Sequence, residues 1–359
     1  MVGALAIFDF PLGQWLDLVP ALASNANHES VSVRVAALET LGYICQDLPS
    51  PEVLSKELSD QVIGALLVGM GDKANPEVRQ HSLKALYNAI SFCEANFHNP
   101  EEASAILTAV NGALEDPEEE HQVIAMQILV EVGRGFYEHL DTFIVPLQEV
   151  TFRLASSGGD KVGAQAVEFW SSICEEEHTR TEEGRLNKTY INMYFEALVD
   201  MLLVAITRLN FEEDEDDEEW GVSASSGCCL RLLAQYAKDA VVDKVLAFVS
   251  MHLGADEWNR KHVALVALGA ILDGPSKSKL AELLKPGLKT ALLPCYDYAS
   301  VRIRETVAWV FSQIAEHLHE ILVTEDLPEC LQKFVMGLQD KPQIANYNCA
   351  VFAELAKAL

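Results

Sequence analysis

The segment RVAALETLGYICQD, residues 34–47, shares one pattern with RQHSLKALYNAISF, residues 79–92, and RETVAWVFSQIAEH, residues 304–317. In each segment a compact residue stands three positions after the arginine, and a large apolar residue stands seven positions after it. Positions four apart lie on the same face of a helix. The pattern therefore predicts a helix whose compact position lets a neighbouring helix approach while its large side chain fills the groove beside it.

The same register occurs eight times along the chain, and an apolar helical run precedes each copy. A period near 40 to 47 residues with two helices per unit is typical of HEAT and armadillo repeats. We therefore predict an all-α fold in which residues 1–359 form a single right-handed superhelical solenoid of about eight HEAT repeats. The first helix of each pair should lie outside and the second should line the concave side. The first residues of the eight copies are Arg34, Arg79, Gln122, Gly163, Ser223, Lys261, Arg304 and Ala345.

Composition restricts the kind of partner. With 26 basic and 54 acidic residues, the net charge is 26 minus 54, or -28. Such a surface repels nucleic acid and anionic lipid and attracts Lys- and Arg-rich segments. The eight cysteines include no CxxC pair, which suits a reducing compartment. No apolar run approaches the roughly 18 residues that span a bilayer. We expect no membrane span, no nucleic acid, no cofactor and no metal.

A run of eight carboxylates stands out within one repeat, between its two helices and directly before Trp220. A solvated loop that only keeps the protein soluble is the simplest reading of such a run. However, eight like charges held beside a concave surface repel one another, and a cationic ligand would relieve that repulsion. We therefore predict a site for basic peptides. Its acidic members are Glu212, Glu213, Asp214, Glu215, Asp216, Asp217, Glu218 and Glu219.

Trp309 should belong to the same surface. It stands five positions after Arg304, about 200° around the helix from Val307 and thus away from the predicted core face. An exposed indole can cover the aliphatic stem of a lysine or arginine and attract its charge. Trp170, by contrast, occupies the large apolar position of its repeat and should be structural.

No catalytic motif is recognisable. Residues 156–161, SSGGDK, lack the spacing of a phosphate-binding loop, and neither GxSxG nor HExxH occurs. We therefore expect a binding protein and not an enzyme.

Several segments of this sequence resemble the importin-beta family of nuclear import receptors. The resemblance covers essentially all 359 residues in order, and the acidic run ending in EEW at Trp220 is among its most specific marks. The beginning resembles the middle of an early repeat and the end stops short of the family's usual length, so we expect a fragment that lacks about two N-terminal repeats and the C-terminal half. The other segments are PLGQW (11–15), LGYICQD (41–47), EFWSSICEEE (168–177) and ILDGP (271–275).

The resemblance implies a function and partners. Family members bind the basic segment of the adaptor importin-alpha on the inner surface, release it when Ran-GTP binds, and contact Phe-Gly nucleoporins on the outer surface. The run 212–219, Trp220 and Trp309 would serve the adaptor segment, and the acidic run would also serve Ran. Ala350 occupies the same position as Trp309 in its repeat, where the family often has tryptophan.

The resemblance also implies an outer site for Phe-Gly segments at Ile63, Leu66 and Ile106, although Ala105 stands where an aromatic is common. Read from the residues alone, these apolar side chains would be core. The family further implies a monomer that moves between cytoplasm and nucleus through the nuclear pore. A HEAT-repeat scaffold subunit without a transport role remains the alternative, and it would not need the acidic run beside Trp220.

Overall fold

The computed structural model describes residues 10–15, 17–210, 220–324 and 326–358. The acidic run 212–219 and residues 1–9 lie outside these ranges. Within them the chain is helical and contains no strand, and the predicted all-α HEAT-repeat fold is confirmed. No helix of the described part is both long and apolar enough to cross a membrane.

The helices form eight consecutive pairs, and every copy of the sequence pattern falls in the second helix of its pair. The pairs are α1 (Leu18–Asn25) with α2 (Val31–Asp47), α3 (Lys56–Met70) with α4 (Pro76–Ala89), α6 (Pro100–Ala113) with α7 (Glu119–Gly135), α8 (Ile144–Ser157) with α9 (Asp160–Glu182), α10 (Tyr190–Ala205) with α11 (Val222–Ala237), α12 (Val242–His252) with α13 (Trp258–Ala270), α14 (Lys277–Gly287) with α15 (Val301–Leu318), and α16 (Leu327–Gly337) with α17 (Pro342–Ala358). A short helix, α5 (Glu94–Phe97), precedes α6.

Burial follows the predicted register. The compact position three after each pattern start is buried in all eight repeats, from Ala37 to Asn348. The large position seven after the start is fully buried in seven repeats, and only Phe352 in α17 is partly exposed. Trp170 is among the buried seven and donates from Nε1 to Thr151 Oγ1 at 2.9 Å. The structural role predicted for Trp170 is confirmed.

Proline sets the start of several helices. In α4 and α6 a proline is the first helical residue, preceded by Asn75 and Asn99 in extended conformation. Proline lacks the N–H that would have no partner there, and its fixed φ suits a helix start. Because the residue before proline avoids helical geometry, the sequence itself marks the starts of α4 and α6.

Ion pairs tie some second helices to the turn of the next repeat. Arg34 Nη2 lies 3.0 Å from Asp72 Oδ2, Arg79 Nε 2.6 Å from Asp116 Oδ2, and Arg304 Nε 2.6 Å from Asp340 Oδ2. All six side chains are at least three-quarters buried, so these pairs are better shielded from water than ordinary surface salt bridges. We call them the Arg–Asp rungs.

The chain divides into two compact units, Met1–Glu149 and Val150–Leu359, and the boundary falls within α8. Each unit is a stack of helix pairs with its own core. The prediction of one continuous solenoid over residues 1–359 stays a prediction.

Candidate peptide-binding surface

Both flanks of the acidic run are held by one carboxylate of the second unit. Asp160, the first residue of α9, accepts a hydrogen bond from Asn210 Nδ2 at 2.9 Å on one oxygen and from Val222 N at 3.1 Å on the other. Gly221 lies so close that a Cβ there would be 2.2 Å from Asp160 Oδ2. The residues just before the acidic run and just after it are therefore held by the same carboxylate.

Further bonds reinforce this anchorage. Arg208 donates to the carbonyl oxygens of Ala155, in the last turn of α8, and of Gly158, in the turn that joins α8 to α9. Ser223 Oγ donates to Ile206 O at 2.7 Å, which links the end of α10 to the start of α11. We call Asp160, Arg208, Asn210, Gly221 and Ser223 the anchor cluster. Sequence reasoning missed it, because its members lie up to 63 positions apart and polar turn residues are common.

In each unit, a row of partly or fully exposed side chains lies on the second helices, five positions after each pattern start. The prediction that this position faces away from the core holds in every repeat, whereas a role in binding stays a prediction. In the second unit the row comprises Glu168, Cys228, Val266, Trp309 and Ala350.

Trp309 is half-buried because its ring rests on the preceding second helix. A Cβ on Gly269 of α13 would lie 2.2 Å from Cζ3 and 2.4 Å from Cη2 of the indole. Glycine at position 269 is therefore what allows the ring to approach this helix so closely. The contact fixes the orientation of the indole before any ligand arrives, and part of the ring remains exposed.

Trp220 is more exposed than Trp309, with 67% of its surface accessible. It lies at the entrance to α11, directly after the acidic run, whereas Trp309 lies in α15, and α13 comes between these two helices in chain order. The two indoles thus belong to different repeats of one unit. A ligand touching both would have to be extended.

The residues predicted to bind Phe-Gly segments are buried in the first unit. Ile63 and Leu66 in α3 and Ile106 in α6 each expose no more than 4% of their surface, while Ala105 is exposed. A ligand could reach these side chains only if α3 and α6 separated locally. The assignment stays a prediction, and exposed positions such as Ala105 test it more cleanly than buried ones.

The buried titratable side chains match a packing role. Burial raises the pKa of the Cys45 and Cys229 thiols to about 12. It lowers the pKa of His262 to about 3, and His262 Nδ1 lies 2.9 Å from Thr306 Oγ1. These groups are therefore neutral near pH 7, because burial disfavours the charged form.

Comparisons with known proteins show to which family this chain belongs. The HEAT repeat model matches residues 18–48, which include α1 and α2. Importin subunit beta-1 of Arabidopsis thaliana is 30% identical over 373 residues, and that of Schizosaccharomyces pombe is 32% identical over 372, each covering 99% of this chain. This chain is a homologue of importin subunit beta-1. The family resemblance read from the sequence is confirmed.

Solved structures agree with this relationship. Yeast importin-beta (Kap95p), alone and in the Kap95:Nup1 complex, superposes on this importin-beta homologue with a TM-score of 0.91 and 28% identity. Kap95p with RanGDP gives a TM-score of 0.90 at 28% identity. In each case the match covers 99% of this chain but 42% of the yeast chain. The chain likewise spans 43% and 42% of the two curated relatives.

Proposed function

We propose that this chain acts in nuclear import by binding an extended basic segment, either that of importin-alpha or a basic localisation segment of cargo. The observation that carries the proposal is the anchor cluster, which holds both flanks of an eight-carboxylate run beside the exposed Trp220. Homology to importin subunit beta-1 supports it. A loop that served only solubility would not need its two flanks held together.

Two forces would act on the ligand. The acidic run supplies a long-range attraction, which raises the local concentration of a cationic segment and speeds its association. Trp220 and Trp309 supply short-range contacts, in which an indole covers a lysine or arginine stem and attracts its charge. Because the indoles lie in different repeats, both can contact one ligand only if it is an extended segment and not a compact basic patch.

Regulation by Ran-GTP and contact with Phe-Gly nucleoporins complete the proposal. Structures of a similar chain, Kap95p, were solved with RanGDP and with Nup1. A Ran molecule that occupies the run 212–219 would displace the basic segment, since both partners would use the same carboxylates. Phe-Gly segments would use Ile63, Leu66 and Ile106 on the first helices, so transport contacts and cargo contacts would not compete.

This chemistry requires binding and release only, so we propose a receptor and not an enzyme. The protein would work as a monomer in the cytoplasm, the nucleus and the nuclear pore. The scaffold alternative predicts partners that are indifferent to the nucleotide state of Ran.

A pull-down from cell lysate, with and without Ran-GTP, tests the proposal. A receptor should capture importin-alpha or basic cargo without Ran-GTP and lose it when Ran-GTP is added. A variant with residues 212–219 changed to Ser and Gly should capture less of either partner. Capture of the same partners under both conditions would favour the scaffold.

A further inference from the structure

A cavity of about 650 Å³ lies in the second unit, bordered by α12, α13, α14 and the irregular turns that follow α14. This volume falls in the range of roughly 300 to 1,000 Å³ that is typical of ligand sites. Its lining is mostly aliphatic. The ionisable side chains in the lining are Lys261, Cys295 and Tyr298. The aliphatic members include Leu246, Val249, Leu268, Leu283, Leu284 and Leu292.

Part of the cavity is lined by an irregular segment that follows α14. Pro286 lies inside the last turn of α14, where it can donate no backbone hydrogen bond, and Gly287 follows it. The chain then forms a π-helix, Leu288–Leu292, and a 3-10 helix, Leu293–Asp297. π-Helical segments are rare overall, but those that do occur are often found at functional sites. A regular helix would have placed these side chains elsewhere.

Lys261 occupies the position at which an arginine forms an Arg–Asp rung in other repeats. It does not pair with the aspartate that the rung spacing would give it. The rung partners lie 36 to 38 residues after the arginine, so the counterpart for Lys261 is Asp297. Asp297 instead lies 2.6 Å from Lys333 Nζ. Lys261 Nζ donates to Leu253 O at 2.5 Å and lies 5.4 Å from the centre of the Tyr298 ring.

The partners of Lys261 in the described chain are thus neutral. Among the described residues no carboxylate lies within 4.0 Å of its Nζ. The nearby acidic side chain of Glu257 faces Arg260 at 3.9 Å, and Asp256 contributes a backbone oxygen to the Tyr298 hydroxyl. An ammonium group has three donors, so Lys261 retains the capacity to bind an acceptor at the cavity. In a chain of charge -28, Lys261 is thus a basic side chain at the cavity without a described carboxylate beside it.

We propose that this cavity binds a segment of a partner protein in which a large apolar side chain stands next to an acidic residue. The apolar side chain fills the aliphatic cavity, and the carboxylate pairs with Lys261. Charge complementarity selects this occupant: no carboxylate lines the cavity to receive a basic residue, and an uncharged segment would leave Lys261 with neutral partners. The site is distinct from the basic-peptide surface, and it stands without the proposed function.

Two isosteric peptides test the assignment on the full chain. Acetyl-Gly-Phe-Asp-Gly-amide and acetyl-Gly-Phe-Asn-Gly-amide differ only in the charge, and methyl NMR titration of Leu and Val signals reports binding at the cavity. We expect the Asp peptide to bind about fivefold more tightly than the Asn peptide, as an ion pair of modest strength provides. Lys261→Met should abolish this preference. Lys279→Met, which removes a lysine that pairs with Asp243 on the adjacent helix, should preserve it.

A third variant tests the cavity itself. Ala291 is an exposed residue that lines the cavity, so Ala291→Phe should fill it and weaken both peptides. Equal affinity of the two peptides for the unmodified chain would overturn the proposal, as would an unchanged preference in Lys261→Met. If Lys261→Met fails to fold, the comparison of the two peptides together with Ala291→Phe still decides. Binding of a basic peptide should be unaltered throughout, which separates this test from that of the import function.

Discussion

Asn210 donates a hydrogen bond to Asp160 at 2.9 Å, and the second oxygen of the same carboxylate holds Val222 N at 3.1 Å. One side chain therefore fixes where the chain enters and leaves the acidic run. Asp160→Ala should release both flanks and weaken the binding of a Lys/Arg-rich peptide, because the two ends of the acidic run would no longer be held together. Asp160→Asn retains one acceptor and should have a smaller effect. Titration calorimetry measures the affinities, and equal affinity in all three proteins would show that anchorage is irrelevant to binding.

Replacing Glu212 to Glu219 by Ser and Gly should flatten the salt dependence of peptide binding. Charge attraction is screened over about 8 Å at physiological ionic strength, so the intact run should give an affinity that falls steeply as salt rises. Affinity measured from 50 to 300 mM salt, a range set about the physiological value of roughly 150 mM, provides the test. If neither the affinity nor its dependence on salt concentration changed, the acidic run would serve only solubility.

Trp309→Ala should weaken the same peptide at every salt concentration, by roughly 0.5 to 2 kcal/mol, because stacking is short-ranged. Gly269→Ala is a matched variant on the other side of the contact. Its new methyl group would lie 2.2 Å from the indole and would displace the ring without removing it. Ala350→Trp, in the equivalent exposed position of α17, should strengthen binding. The pairing of Trp309 with a basic segment would be refuted if Trp309→Ala and Gly269→Ala both bound as the unmodified chain does.

Ala105→Phe should increase the affinity for a Phe-Gly peptide without loss of stability, since residue 105 is exposed on α6. Ile106→Asp should abolish this binding if Ile63, Leu66 and Ile106 form the site. However, Ile106 is 1% exposed, and an unpaired carboxylate there costs several kcal/mol. Circular dichroism must therefore accompany the titration. Loss of the helical signal in Ile106→Asp, with no gain from Ala105→Phe, would assign these residues to the core alone.

The rung between Arg304 and Asp340 should make stability depend on pH at acidic values. The hydrogen bond from Arg304 lowers the pKa of the Asp340 carboxyl below its ordinary value of 3.8. The folded state then binds this proton less readily than the unfolded state, so the contribution is complete above the unfolded pKa and is lost as pH falls through the folded one. Arg304→Ala should cost about 2 kcal/mol at pH 7, because hydrogen bonds to charged groups are lost. Urea unfolding at pH 7 and pH 3 measures this, and an equal cost at both pH values would contradict it.

Much of the fold was predictable because its determinants are local. The spacing of Arg34, Ala37 and Leu41 fixes which face of a helix is buried, and the same spacing recurs in each repeat. Proline at positions 76 and 100 marks helix starts in the sequence itself. The exposed position of Trp309 followed from the same register.

The site was less predictable because its details depend on contacts between distant residues. Nothing near Trp309 in the sequence shows that Gly269, 40 positions earlier, supports its ring. Asp160 reads as an ordinary helix start until Asn210 and Val222 are seen on its two oxygens. Lys261 matches the rung pattern in sequence, and only the structure shows that Asp297 pairs with Lys333 instead.

The Arg–Asp rungs have a mechanical consequence. They link second helices to following turns near the start of the first unit and near the end of the second, whereas the pattern starts Gln122, Gly163 and Ser223 offer no guanidinium. An ion pair with fixed geometry resists sliding of one helix past the next, but apolar contact is non-directional and tolerates it. Within the second unit, the junction between α15 and α17 carries such a rung, so under tension it should resist sliding more strongly than a junction held by apolar contact alone.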